Sequence, residues 1–310
     1  MNMVANESFL DTASIRSSVV SHAKTLGYTP NSARAPIAYI NVGLNNTGTD
    51  GGAFESLNTA TIPIGTVFTT KLDDINYQFV TTSEHTVSKT DGVINFTNIP
   101  IYEGTYVTNR YTVNTKNVDQ KFLINDPRGD TTTLLVDVFD TSSSTSSTTF
   151  TLSTDATQVS SSSSVYFLQE SIDGKSEIYF GDGIIGQGLS DGNVVRLRYV
   201  VTNKTQANGA SIFSTTSPIS GITSVSTSTV SVASGGSEPE SIKSIKFNAP
   251  LDYAAQGRCV TTSDYEVYAR KLYSNTKSVS VWGGEDGSYN TSSGVSSVAE
   301  YGKEDCNISS

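Results

Sequence analysis

The chain has 310 residues, and 30 acidic against 20 basic side chains give it a formal net charge of −10. A surface of that sign repels phosphate backbones and no basic run offsets it, so nucleic acid is not an expected partner. Only 36% of residues are hydrophobic and 16% charged, a Ser-, Thr-, Asn- and Gly-rich balance that fits β-rich exported or virion-type proteins better than compact helical enzymes.

From Asp11 to Leu26 the apolar residues Ile15, Val19, Ala23 and Leu26 recur at helical spacing and form one stripe. Asp11 or Thr12 is placed to cap this helix, Gly27 to end it and Pro30 to stop continuation. The residues before it, Met1 to Leu10, read as the end of another helix.

Between Ala35 and Gly235 the signals are mainly β. Expected strands are 37–42, 62–70, 77–82, 93–101, 105–113, 134–139, 150–153, 165–169, 177–180, 194–201 and 223–232, separated by turn clusters such as Asn45-Asn46-Thr47-Gly48 and Asp126-Pro127-Arg128-Gly129. Their spacing argues for sandwich-like or barrel-like units rather than a parallel sheet with crossover helices. Two low-complexity runs, Thr141 to Thr149 and Ser160 to Ser164, read as exposed hairpin tips.

The stretch from Ser164 to Tyr199 reads as strand, Asp173-Gly174 turn, strand, glycine-dense loop, strand. Gly181-Asp182-Gly183-Ile184-Ile185-Gly186 fits the dinucleotide fingerprint in spelling. The fingerprint also needs a helix immediately afterwards, and Gln187 to Asn193 is a string of turn formers, so glycines serving a tight β connection are expected instead. The last strand places Val195, Leu197 and Tyr199 on one face and Val194, Arg196 and Arg198 on the other.

Beyond Gly235 a small α+β unit is expected. Ser237-Glu238-Pro239-Glu240 spells a capping box for a helix ended by Asn248-Ala249-Pro250. A second helix begins at Thr261-Thr262-Ser263-Asp264, and Lys277 to Trp282 reads as a strand.

Chemistry-bearing residues are sparse. The histidines, His22 and His85, neighbour no nucleophile elbow and read as surface groups, so no catalytic residue is expected. Cys259 and Cys306 form no metal-type cluster and read as free thiols, in keeping with a reducing cytoplasm; no metal or cofactor site is expected. Asp173, Asp182 and Asp191 read as turn acids, and Arg128-Gly129-Asp130 as a chance adhesion tripeptide leading into a strand. No run approaches the roughly 18 apolar residues of a membrane span, and the N-terminus lacks a signal-peptide pattern.

Several segments taken together carry a resemblance. Asn6-Glu7-Ser8-Phe9-Leu10-Asp11, Gly27-Tyr28-Thr29-Pro30, Asp119-Gln120-Lys121-Phe122, Tyr179-Phe180-Gly181-Asp182-Gly183, Ala207-Asn208-Gly209-Ala210, Ile245-Lys246-Phe247-Asn248-Ala249-Pro250, Val260-Thr261-Thr262-Ser263-Asp264-Tyr265 and Val281-Trp282-Gly283-Gly284-Glu285-Asp286 resemble, in order, the baseplate wedge subunit of T-even-type contractile phage tails. The FGDG loop and the segment from Ala249-Pro250 to Asp264-Tyr265 are also similar to the wider baseplate J family.

The resemblance implies a structural, non-enzymatic component of the virion's tail baseplate, assembled in the host cytoplasm. Its implied partners are further copies of itself in a dimer and ring, other wedge proteins, the hub and sheath-initiating proteins, with no membrane or nucleic acid. Gly181, Asp182, Gly183, Pro250, Asp264, Tyr265 and Trp282 are its motif residues, and Ile15, Val19, Ala23 and Leu26 are the expected helical interface. Against the family pattern the chain reads as incomplete at both ends. The expectation is a mainly β protein with α+β character, divided into 1–34 (helical, wedge bundle), 35–160 (β), 161–235 (β with the FGDG loop) and 236–310 (small α+β with a Ser/Gly-rich tail). A receptor-binding or adhesin-like tail protein is the alternative that the composition permits.

Overall fold

A computed structural model describes residues 2–45, 51–117, 119–153, 159–171, 173–272, 278–282 and 305–309. The expected turn at Asn46-Thr47-Gly48, the Gly283-Gly284-Glu285-Asp286 motif and most of the Ser/Gly-rich tail lie outside them. The chain divides into two compact units, Ser32–Pro239 and a second built from Met1–Asn31 with Glu240–Ser310.

The larger unit is β. Its first sheet has five strands in the order β14 (Val225–Ser234), β1 (Ile37–Leu44), β6 (Ile94–Glu103), β4 (Ile75–Val80) and β3 (Val67–Leu72). Strand β1 alternates strictly, burying Ala38, Ile40, Val42 and Leu44. Strand β6 buries Ile94 and Phe96 and then Ile99 and Ile101, a change of parity along one strand. Asn98, at φ 55°, supplies the extra residue, and its N–H donates to the Asn41 side chain at 2.9 Å. This bulge returns the apolar set to the core face that a straight strand would have turned outward. The same core takes Phe54, from the short α3 (Gly51–Ser56), and Phe213, which meets Phe79 edge to face at 4.9 Å.

The second sheet has seven strands, β7 (Thr105–Thr112), β13 (Val194–Val201), β9 (Gly129–Phe139), β10 (Ser147–Leu152), β11 (Val165–Glu170), β12 (Ser176–Phe180) and β8 (Phe122–Ile124), in that spatial order. It draws strands from both sides of residue 160, where the sequence placed a boundary. All pairs are antiparallel except β10 with β11. The sheet curls until its first and last strands meet: Tyr111 on β7 donates its hydroxyl to the Leu123 carbonyl of β8 at 2.8 Å. Tyr111, Phe122, Phe180 and Phe150 then follow one another edge to face at 5.7, 5.3 and 5.4 Å.

The chain passes from the first sheet to the second through Glu103-Gly104, between β6 and β7. Glu103 is fully buried and accepts from Thr202 Oγ1 at 2.7 Å, the Asn203 N–H at 2.9 Å and Asn203 Nδ2 at 2.7 Å. Of the shorter strands, β2 (Thr59–Ile62) pairs with β5 (His85–Ser88) in a ribbon of its own. The single run expected over 62–70 is therefore two strands, broken at Pro63 to Thr66, where Gly65 takes φ 83°.

The smaller unit is helical, with α2 (Arg16–Thr25), α4 (Ile242–Ala255), α5 (Thr262–Leu272) and a short N-terminal α1 (Asn2–Asn6). A ribbon of β15 (Ser278–Trp282) and β16 (Asp305–Ser309) completes it. Three expectations are corrected here. Helix α2 is capped neither by Asp11 nor by Thr12, its N-cap being Ile15; Glu7 instead ties down the turn before it, its carboxylate accepting the Ser14 N–H at 2.8 Å, the Ser14 hydroxyl at 2.7 Å and the Ile15 N–H at 3.3 Å. These donors, the Ser14 N–H first, pull the Glu7 pKa down to about 2. The N-cap of α4 is Ser241, accepting from the Ser244 N–H at 3.2 Å, rather than Ser237. That helix also runs through Pro250 instead of stopping there, and ends at Gln256 in the left-handed conformation. The missing proline donor is outweighed by burial of Ile245, Ala249 and Ala255 on either side of it.

Candidate interaction surfaces

In the helical unit, Val19 and Ala23 are fully buried against Ile245 and Ala249, with Ala13, Val20, Leu10, Leu26, Tyr28 and Ile242 around them. The chain's own α4 therefore covers the stripe for which the sequence showed no partner, through Ile242, Ile245 and Ala249. Leu26 is half-buried and Ile15 stays 42% exposed. Phe9, Phe247, Tyr253 and Val260 are exposed on the same unit.

Glu240 organises this unit and was read in the sequence only as a capping-box acid. It is 8% exposed, and its carboxylate accepts from the Tyr28 hydroxyl (2.9 Å to each oxygen), the Asn31 N–H (3.1 Å), Ser244 Oγ (2.6 Å) and Asn248 Nδ2 (2.9 Å). Arg16 Nη1 donates to its main-chain carbonyl at 2.5 Å. The resembling segments around Tyr28 and Asn248 thus converge on one buried carboxylate. Asp264 sits in a true capping box: it accepts from the Thr261 N–H at 2.8 Å while its own N–H donates to Thr261 Oγ1 at 3.3 Å. Those donors hold its carboxyl below the usual range. Tyr265, half-buried, packs on a small cluster of Ala269, Val279 and Val281, and Trp282 ends β15.

The FGDG loop closes on itself. Asp182 Oδ1 accepts the N–H groups of Ile184 (2.9 Å) and Ile185 (3.0 Å), and the Gly183 N–H reaches the Gly186 carbonyl at 3.0 Å. No helix follows, so the phosphate-binding geometry is absent. The loop is held from the side by the serine run: Gly186 donates to the Ser160 carbonyl at 3.1 Å and Gln187 to that of Ser163 at 2.9 Å. Ser160 to Ser164 is therefore a brace for the loop rather than a free tip. A Cβ on Gly181 would stand 2.3 Å from the Gly186 carbonyl carbon. Gly181→Ala is accordingly expected to force the loop open at a cost of about 1–3 kcal/mol, seen as a lower urea midpoint, while Ile184→Ala at the tip leaves the midpoint unchanged. At that tip Ile184 is 76% and Ile185 45% exposed, an apolar pair on a rigid support.

Beside the loop lies an open groove of about 310 Å³ lined by Asn114, Gln120, Phe122, Tyr179, Phe180 and Leu189 among others. It brings the Asp119-Gln120-Lys121-Phe122 and Tyr179-Phe180-Gly181 segments together, which their separation in sequence conceals. Burial, then the Glu177 carboxylate, pushes the Tyr179 hydroxyl up to about 12. Elsewhere, Ser83 Oγ and His85 Nε2 lie 2.9 Å apart across one local turn, and burial lowers the His85 pKa. The Arg128-Gly129-Asp130 tripeptide is not presented: Asp130 is 1% exposed and accepts from the Ala35 N–H at 2.8 Å. Among the described residues no group of three or more His, Cys, Asp or Glu is placed to hold a metal, and no helix is long and apolar enough to cross a membrane.

Residues 109–213, most of the curled sheet with its FGDG loop, match the family model for the third domain of the bacteriophage baseplate wedge protein gp6. The chain is also 27% identical over 305 residues to the baseplate wedge protein gp6 of Enterobacteria phage T4, covering 88% of this chain and 43% of that relative. Both similarities are to phage baseplate wedge proteins. It spans less than half the length of the wedge protein it matches. Within the wedge relationship, Gly181, Asp182 and Asp264 are residues that close and cap local structure. Pro250 lies inside a packed helix. The motif residues described here thus support backbone geometry.

Proposed function

We propose that the chain is a structural component of a contractile tail's baseplate wedge, taking part in the ring around the hub and relaying the rearrangement that triggers sheath contraction. The observation that carries this reading is the match of 109–213 to a wedge domain, on a sheet whose motif residues serve backbone closure. The reading is non-enzymatic and the mechanism mechanical: the β unit is a strut, and exposed apolar groups on rigid supports are its contacts. Ile184 and Ile185 offer one such contact, and Ile15, Phe9, Phe247 and Tyr253 on the helical unit offer others toward copies of the chain and other wedge proteins.

Virions produced without this chain test the proposal by electron microscopy. Tails lacking an organised baseplate and a polymerised sheath are expected. Complete tails that merely fail to adsorb would replace this reading with that of a receptor-binding protein.

A further inference from the structure

The curled sheet has a second face whose charge is opposite to that of the whole chain. Strand β13 gives Val195, Leu197 and Tyr199 to the core, which leaves Arg196 and Arg198 on the opposite face. The register sets Arg110 of β7 directly across from Arg196 on one side, Asp137 of β9 on the other, and Thr149 of β10 beyond Asp137. One row across four strands therefore reads Arg110, Arg196, Asp137, Thr149.

Asp137 is already saturated. Its carboxylate accepts from Arg196 Nη2 (2.9 Å) and Nε (3.2 Å), Arg198 Nη2 (2.8 Å) and Thr149 Oγ1 (3.0 Å). The Arg196 guanidinium also stacks over the Phe139 ring at 4.7 Å, so both inner arginines are fixed. Two guanidiniums thus share one carboxylate, with the third of Arg110 beside them, and Arg198 Nε is buried without a hydrogen-bond partner. Among the described residues Arg110 forms no ion pair or side-chain hydrogen bond, and it is exposed. Like charges directly opposite on a sheet destabilise it, so the Arg110–Arg196 pair costs the isolated chain stability.

We propose that this row is a docking site for an acidic segment of a partner protein, one of whose carboxylates bridges Arg110 and Arg196. This deepens the reading as a wedge component and rests on it. Charge complementarity selects the occupant: a net charge of −10 repels extended polyanions, whereas one short acidic segment on this face meets only the local excess of cations. Arg196, fixed in place by Asp137 and Phe139, offers a second cation beside the exposed Arg110 at little ordering cost.

The test uses the full chain and a fluorescein-labelled hexaglutamate peptide, followed by anisotropy at low salt. Saturable binding is expected, with Arg110→Glu weakening it about tenfold or more, since a tenfold change corresponds to one well-formed charge contact. Arg110→Ala should lie between the two. Lys243→Glu makes the same charge change at an exposed position of the other unit and should leave binding unaltered. Arg110 is exposed and both variants remove the like-charge pair with Arg196, so their unfolding midpoints should be no lower than that of the wild-type chain. No binding by the wild-type chain, or equal losses in the Arg110 and Lys243 variants, would overturn the proposal. So would tighter, Arg110-dependent binding of single-stranded DNA of equal charge, which would make the row a phosphate site. A chain located in the baseplate but blind to hexaglutamate leaves the wedge reading standing and removes this one alone.

Discussion

Glu240→Ala is expected to destabilise the helical unit by about 3 kcal/mol, because it strands several buried donors at once. The Tyr28 hydroxyl, the Asn31 N–H, Ser244 Oγ and Asn248 Nδ2 all end on this carboxylate. Hydrogen exchange over residues 242–255 reads the loss most directly, and amide protection there should fall by more than a factor of about 100. Protection in the β unit should not change. Glu240→Gln should fall between, since one amide oxygen replaces only part of the acceptor set. A pH dependence accompanies the contact. Burial first, and then the Glu240 charge, raise the Tyr28 pKa above its ordinary value of 10.0. The unfolded chain releases that proton near its ordinary value while the folded chain retains it, so the contribution is full below pH 10 and declines as pH rises beyond it. Tyr28→Phe should remove that alkaline decline, which unfolding midpoints measured on either side of pH 10 will show.

Gly104→Ala should be the most damaging single-methyl change in the β unit. Gly104 has φ +128°, and a Cβ there would meet the Val201 carbonyl oxygen at 2.2 Å and Val200 Cγ1 at 2.8 Å. Backbone cannot yield as a flexible side chain can, and the conformation itself disfavours any L side chain. The position joins β6 of one sheet to β7 of the next, so displacement there disturbs both and the Glu103 contacts beside it. A loss of about 3 kcal/mol or more is expected, measured as a lower midpoint in urea. A midpoint within error of the wild type would show that the corner does not fix the sheets.

The β character, most strands and the absence of a nucleotide helix after Gly186 were legible in the sequence because alternation and turn chemistry are local. Strand Val194–Val201 was read to the residue, including which face carries Arg196 and Arg198. What those arginines meet was not legible, since Arg110 and Asp137 reach them only through strand register. The bulge at Asn98 is likewise hidden: it reverses an alternation that sequence periodicity assumes continuous. Proline misled in the opposite direction, because Pro250 normally ends a helix and here lies within one packed by Ile245, Ala249 and Ala255. The strand His85–Ser88 carries a single apolar residue, Val87, and Phe122–Ile124 spans only three residues, so neither shows an alternation.

The most direct test of the account is a cryo-electron map of the intact virion, into which the curled sheet with its FGDG loop can be fitted. The account predicts density for this chain in the baseplate, around the tail hub, with Ile184 and Ile185 against a neighbouring chain. Density at the distal end of a tail fibre, with the loop tip facing solvent, would contradict it.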